Sequence, residues 1–224
     1  MKEFSGRLKQ AADTLQLTLS DAQQEALLAY LSQLQRWNRT YNLTAIRDPS
    51  QMLVQHVFDS MSIVTRLRDA MKDHVASGKQ VSVLDVGSGA GLPGTIIAIL
   101  EPDWRVSCVD AVEKKTAFIR QIAGVLGLSN LQALHNRIEM LLEMDATIVT
   151  SRAFASLADF ADLAGKHVAQ DGWLVAMKGR IPDDEISELQ KKTDWRVERI
   201  DPVVVPELDA QRCLIWLKQD QGTL

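Results

Sequence analysis

The stretch from Val81 to Gly94, reading VSVLDVGSGAGLPG, constrains the chain more than any other. An apolar, β-branched run ends in Asp85, drops into a glycine-rich turn and passes through Pro93 into a helical pattern from Thr95 to Leu100. That order is a strand, a tight loop and a helix start. Gly87, Gly89 and Gly91 let the backbone approach a ligand where a Cβ would collide. The helix N-terminus that follows offers unpaired N–H groups to a negative group. Pro93 suits the first helical turn, where its missing N–H would have had no partner.

Two ligand classes use such a turn. Gly89, Gly91 and Gly94 satisfy the dinucleotide fingerprint G-x-G-x-x-G, and Asp110 ends the next apolar strand, VSCVD, where an acid can take ribose hydroxyls. Asp85 separates the two classes. An acid at the end of the first strand faces a pyrophosphate unfavourably, yet suits a ligand carrying an ammonium and a sulfonium. S-adenosylmethionine is such a ligand: its amino-acid end meets the loop amides near Asp85, and its ribose hydroxyls meet Asp110. A tight βα turn without a ligand is the alternative, and the coincidence of Asp85, the glycine series and Asp110 argues against it.

Around this stretch the chain falls into two parts. Residues Lys2 to Leu17 read as a short amphipathic helix; Ser20 caps a stronger one, with Gln23 in the capping-box position and Leu27, Leu28, Leu31, Leu34 and Trp37 on one face. The connector WNRTYNLTAIRDP, Trp37 to Pro49, mixes aromatics, amides and arginines without period. Ser50 then caps a helix from about Gln51 to Met71, with Leu53, Val57, Met61, Val64 and Leu67 near helical spacing. Lys72 to Gln80 is the best boundary, giving a helical extension over 1–75 packed on a core over 76–224.

Within that core, strand-like and helical runs alternate. After the glycine turn come strand Arg105 to Asp110, helix Glu113 to Leu126, strand Leu131 to His135 and a brief helix from Ile138. Strand Ala146 to Thr150, helix Leu157 to Val168, strand Gly172 to Met177 and helix Ile181 to Lys192 follow, then strands Trp195 to Val205 and Arg212 to Lys218. The fold class expected is α/β: a Rossmann-like, mostly parallel seven-stranded sheet closed by an antiparallel C-terminal hairpin.

Ligands bind such a sheet beyond the carboxyl ends of its strands. Arg152, emerging with Ser151 and Phe154, can orient a cofactor or grip a phosphate while Phe154 stacks on a base; otherwise it is a surface arginine. Ile138 and Glu139 stand where an adenine is covered by an apolar side chain and read by polar groups. Lys178 and Arg180 flank Gly179 and offer positive charge to RNA, or form a solvated turn. Asn42, Thr44 and Arg47 in the connector can line a pocket, and His56 lies about one turn from Asp59, as acid/base machinery or as a contact that fixes a helix. His74, His135 and His167 have no metal-ligating spacing.

With 224 residues, 46% hydrophobic and 24% charged, the chain can build one sizeable core. No run approaches a membrane span and the charged N-terminus lacks a secretory apolar core, so a cytoplasmic protein without membrane partners is expected. Cys108 and Cys213 are too few for a disulfide framework, so no disulfide partner is expected. A net charge of −4 argues against a bulk electrostatic grip on nucleic acid. It leaves room for a local basic mouth, since phosphate attraction is felt over roughly 8 to 10 Å.

WNRTYNLTAIRDP, the helix carrying HVFDS, LDVGSGAGLPG, SRAFASL at Ser151 to Leu157, and the MKG and PDDEI segments at Met177 to Ile186 occur in one order over nearly the whole chain. Together they resemble the bacterial glucose-inhibited division protein B family, the small-subunit ribosomal RNA methyltransferases. The resemblance implies a class I S-adenosylmethionine-dependent enzyme that methylates N7 of one guanosine, position 527 of 16S rRNA, in naked RNA or in a small-subunit assembly intermediate. It implies cofactor contacts at Gly87 and Leu92, at Ile138 and Glu139, and at Arg152. Ser88 and Ala90 stand where the family often has Thr and Pro, and both are small. Readings from other classes are a nicotinamide oxidoreductase, a non-enzymatic nucleotide- or RNA-binding module, and a methyltransferase acting on another RNA or small molecule.

Overall fold

The computed structural model describes residues 2–152, 154 and 156–220, so Ala153 and Ala155 of the SRAFASL segment and the last four positions of the expected core lie outside the described residues. Ser82 to Val86 forms β1 because its apolar, β-branched side chains are buried on both faces, the situation of a strand inside a covered parallel sheet. Its neighbours are β2 (Arg105–Asp110) and β4 (Ala146–Ser151), both parallel to it. β3 (Leu131–His135) pairs with β2, and β5 (Val168–Lys178) with β4. β6 (Trp195–Val203) and β7 (Arg212–Gln219) close the sheet as an antiparallel hairpin, with β7 inserted between β5 and β6. Among the described residues the order is β3-β2-β1-β4-β5-β7-β6, a sheet of seven strands. The order reverses between β1 and β4, so a crevice opens beyond the ends of those two strands.

The helices are α1 (Lys2–Thr14), α2 (Asp21–Tyr41), α3 (Pro49–Met52), α4 (Asp59–Met61), α5 (Val64–Ala76), α6 (Gly94–Leu100), α7 (Glu113–Leu126), α8 (Leu157–Ala164) and α9 (Asp183–Lys192). Ser20 and Gln23 form the expected capping box on α2. The residues of 1–75 keep no separate core: Tyr30 and Trp37 on α2 meet Phe118 on α7 at ring-centroid distances of 6.1 and 5.5 Å, within one apolar cluster that also contains Ile96 and Val106.

The helix expected from Gln51 to Met71 is instead three short pieces and α5. Asp48, not Ser50, caps its start, with Oδ1 accepting from the Gln51 amide and Pro49 in the first turn. Leu53–Phe58 is a π-helical turn joining α3 to α4. Leu53, Val57 and Met61 are all buried, in a stretch from Met52 to Val64 where only Gln55 is partly exposed. The other departures are at ends: β5 begins earlier than expected, at Val168, and α8 stops at Ala164 before a 3-10 turn, Gly165–His167.

Candidate active site

The glycine loop leaves β1 and is pinned to β2 by backbone bonds from the Gly87 and Ser88 amides to the Val109 carbonyl, at 2.9 and 3.1 Å. Its glycines do different jobs. Gly89 has φ +59 and a Cβ built on it meets nothing within 4 Å, so this position borders open space. At Gly91 a Cβ would lie 2.3 Å from Thr95 Oγ1, and at Gly94 it would lie 2.4 Å from Cys108 Sγ and 2.9 Å from Asp85 Oδ2. Gly91 and Gly94 are therefore required for the internal packing of α6 on the sheet. Leu92 is buried in the core, and Tyr30 fixes the loop from beneath by donating to the Ala90 carbonyl at 2.9 Å.

Asp85 lies lower than a mouth residue would. It is completely buried; Oδ2 accepts from the Gly94 amide at 2.8 Å and touches Cys108 Sγ at 3.9 Å. Among the described residues Oδ1 is buried without a partner. Burial pushes its carboxyl up to about 7, against a lowering by the Gly94 amide and by Arg152. Asp110, at the end of β2, is also buried. Its Oδ2 accepts from the Gly89 amide at 2.9 Å and from Lys115 Nζ at 3.4 Å, and Oδ1 from the Val112 amide at 2.8 Å. A carboxylate offers about four acceptor sites, so one stays open for a hydroxyl, and the long Lys115 contact is readily exchanged.

Arg152 follows β4, across the crevice from the glycine loop. Its Nη1 donates to the Gln55 carbonyl at 3.0 Å and to Asp59 Oδ2 at 3.1 Å. Ser151 Oγ donates to the Val86 carbonyl at 2.7 Å, tying the ends of β4 and β1 together. Ile138 is buried in a 3-10 turn, Ile138–Met140, and Glu139 beside it is exposed. The carbonyls of both are held by neighbours on the Gly165–His167 turn, Ile138 by His167 Nε2 at 3.3 Å and Glu139 by Lys166 Nζ at 2.9 Å.

A second cleft, of about 360 Å³, opens on the other side of Arg152 and is lined in part by His56, Asp59, Lys178 and Arg212. His56 is buried there, with Nε2 2.9 Å from Thr44 Oγ1. Burial and the nearby Arg152 push its imidazole down to about 4, so it brings no positive charge to the cleft. Lys178 is half-buried, donating to Glu185 Oε2 at 2.8 Å and to the Phe154 carbonyl at 3.3 Å. Asn42, the left-handed C-cap of α2, and Arg47 are exposed and touch each other at 3.4 Å. Arg47 lines a separate depression with Asn38 and Met52, and Arg180 is exposed beyond β5. The structure thus brings the glycine loop, Asp110 and Arg152 to the carboxyl edge of the sheet with Asp85 buried beneath the loop, and sets His56, backed by Thr44, and Lys178 around the neighbouring cleft. It leaves Asn42, Arg47 and Arg180 outside that cleft.

The sequence pattern singles out neither Tyr30 nor Arg212, nor the double ion pair of Asp59. Arg212 Nε reaches Asp59 Oδ1 at 2.9 Å across 153 positions of chain, a contact that no local pattern announces. A larger cleft of about 910 Å³, lined by Arg68, Trp104, Arg105 and Asn130, sits at the opposite, amino-terminal edge of the strands. It lies at the strand ends opposite to the glycine loop, Asp110 and Arg152.

The residues fit S-adenosylmethionine on structural grounds. Among the described residues, the unpartnered Asp85 Oδ1 beneath the glycine loop, the open space at Gly89 and the free acceptor capacity of Asp110 all lie at the carboxyl ends of β1 and β2. Sheet order, glycine loop and strand-end acids define a class I methyltransferase of Rossmann-like fold. Solved structures agree on the fold. The ribosomal protein L11 methylase of Lactobacillus delbrueckii subsp. bulgaricus superposes with TM-score 0.53 at 13% identity, covering 72% of this chain and 76% of its own. The M. jannaschii TYW2 complex with AdoMet gives TM-score 0.50 at 10% identity, covering 62% and 69%.

The chain belongs to the GidB family, rRNA small subunit methyltransferase G, whose model matches residues 23–215. Ribosomal RNA small subunit methyltransferase G of Bordetella pertussis is 61% identical over 218 residues, 97% of this chain and 94% of that protein. Its counterpart from Methylibium petroleiphilum is 47% identical over 216 residues, covering 96% and 95%.

Proposed function

We propose that this family member methylates N7 of a single guanosine of 16S rRNA, position 527, and that the acceptor is presented at the Arg152 end of the crevice. The methyl donor is S-adenosylmethionine, which supplies a methyl group activated by a sulfonium. Asp85 and the glycine loop hold the amino-acid end, Asp110 the ribose, and the Ile138–Glu139 turn the adenine.

N7 carries a lone pair and no proton, so the acceptor attacks without a general base. The surroundings of Arg152 support this reading above any other observation. The neighbouring imidazole, His56, is buried with Nε2 engaged by Thr44 Oγ1 at 2.9 Å, and burial lowers its basicity, so it is a poor proton acceptor and the site is suited to orienting its acceptor. Orientation alone can supply roughly 7 to 11 kcal/mol of the acceleration. Because the N7 edge lies in the deep, narrow groove of an RNA helix, the target is an unpaired or splayed nucleotide.

Labelled methyl donor incubated with naked 16S rRNA and with small-subunit particles, followed by mapping of the modified base, tests the reading. Label at N7 of that guanosine supports it, and preference for particles over naked RNA identifies an assembly intermediate as substrate. Label at another atom or in another RNA refutes it.

A further inference from the structure

We infer that the 360 Å³ cleft beside Arg152 is a phosphodiester subsite for the RNA strand, in which Asp59 is the positioning residue that aims Arg152 and Arg212. This rests on the RNA-methylating reading above and adds to it the group that grips the backbone next to the target base.

Asp59 is buried at the start of α4 and divides its two oxygens between two arginines, Oδ1 to Arg212 Nε at 2.9 Å and Oδ2 to Arg152 Nη1 at 3.1 Å. Each guanidinium has a second anchor. Arg152 Nη1 also donates to the Gln55 carbonyl at 3.0 Å, and Arg212 Nη1 to the Gln211 carbonyl at 2.9 Å. With one edge fixed and 28% of each side chain still exposed, both planar groups keep donors turned to the opening. A guanidinium held in this manner matches the oxygens of a phosphate, as a flexible ammonium does not.

The charges point to an anion. Two guanidiniums share one carboxylate, which leaves an excess of one positive charge. Lys178 is neutralised by Glu185 at 2.8 Å, and His56 is uncharged. Two anions are in play, an RNA phosphate and the carboxylate of the methyl donor. Arg212 favours the first: it begins β7, three strands from β1 in the order β1-β4-β5-β7, hence roughly 14 Å from the glycine-loop strand at ordinary strand spacing. The π-helical turn carries Gln55 and His56 to the same cleft, and such turns are frequent at functional sites.

The test measures methyl transfer to small-subunit RNA against salt concentration, with donor affinity measured separately by calorimetry. Arg212→Gln should raise KM for RNA about tenfold and reduce the slope of log(kcat/KM) against log salt by about 1, the signature of one lost phosphate contact. Donor affinity should stay within about twofold. Arg212→Lys, which keeps the charge and loses the fork, should restore the slope but not the full affinity. Asp59→Asn should raise KM for RNA more than Arg212→Gln does, because it releases both arginines. An Arg212→Gln protein with unchanged KM and slope overturns the subsite. One that loses donor and RNA affinity equally assigns the anion to the donor's carboxylate instead. Wild-type protein that labels no RNA in the same assay overturns the underlying methyltransferase reading, a result distinct from either.

Discussion

Asp110 Oδ2 accepts the Gly89 amide at 2.9 Å, so the acid that ends β2 holds the turn that follows β1 in the shape a ligand would meet. Asp110→Ala should therefore do two things. Losing acceptors for the Gly89 and Val112 amides should cost about 1 to 3 kcal/mol, lowering Tm by several degrees. Donor affinity should fall by at least an order of magnitude as measured by calorimetry. Stability lost with donor affinity retained would mean that Asp110 only shapes the loop.

Gly89 and Gly91 should respond differently to the same change. Gly89→Ala puts a methyl into open space at φ +59, so the fold should survive a cost of roughly 1 to 2 kcal/mol while donor binding weakens. Gly91→Ala drives a methyl to 2.3 Å from Thr95 Oγ1 and should destabilise the whole protein more severely. Thermal melts with and without donor separate the two; equal melting losses with intact binding in both would contradict this division of labour.

Asp85 predicts a pH dependence. Its carboxyl is raised from 3.8 to about 7 in the folded chain, so between those values the folded state binds more protons than the unfolded state. Its contribution to stability therefore declines as pH rises from about 4 to 7, and the ionised form is the one suited to an ammonium. Donor binding near pH 6 should release a proton, detectable by calorimetry in buffers of different ionisation enthalpy, and Asp85→Asn should abolish that release. An unchanged release in the variant would assign the proton to another group.

His167 is buried under the Ile138–Met140 turn, and burial keeps its imidazole pushed down, towards the neutral form. His167→Ala removes the donor to the Ile138 carbonyl and should raise KM for the donor several-fold with little change in kcat. Equal effects on both constants, tracking lost stability, would leave it a packing residue only.

How far these parts could be read in advance depended on how local their causes are. β1, β2, β3, the capping box of Ser20 and Gln23, and the closing hairpin are each written in neighbouring residues, and the structure places them as expected. The apolar spacing after Pro49 fits one continuous helix, and nothing in it distinguishes the π-helical turn over Leu53–Phe58. The position of Asp85 near the end of β1 follows from the local pattern, but its depth depends on the start of α6 at Gly94 lying against it. The Asp59–Arg152–Arg212 arrangement needs β7 to return beside β5, a consequence of sheet order that no stretch of sequence carries alone.

The account as a whole turns on one measurement: mapping the methyl group on small-subunit rRNA after reaction with wild-type protein and with Arg152→Ala. It predicts N7 methylation of one guanosine by the wild type and at least a tenfold loss of transfer in the variant. Methyl groups found elsewhere, or full transfer without the Arg152 guanidinium, would contradict it.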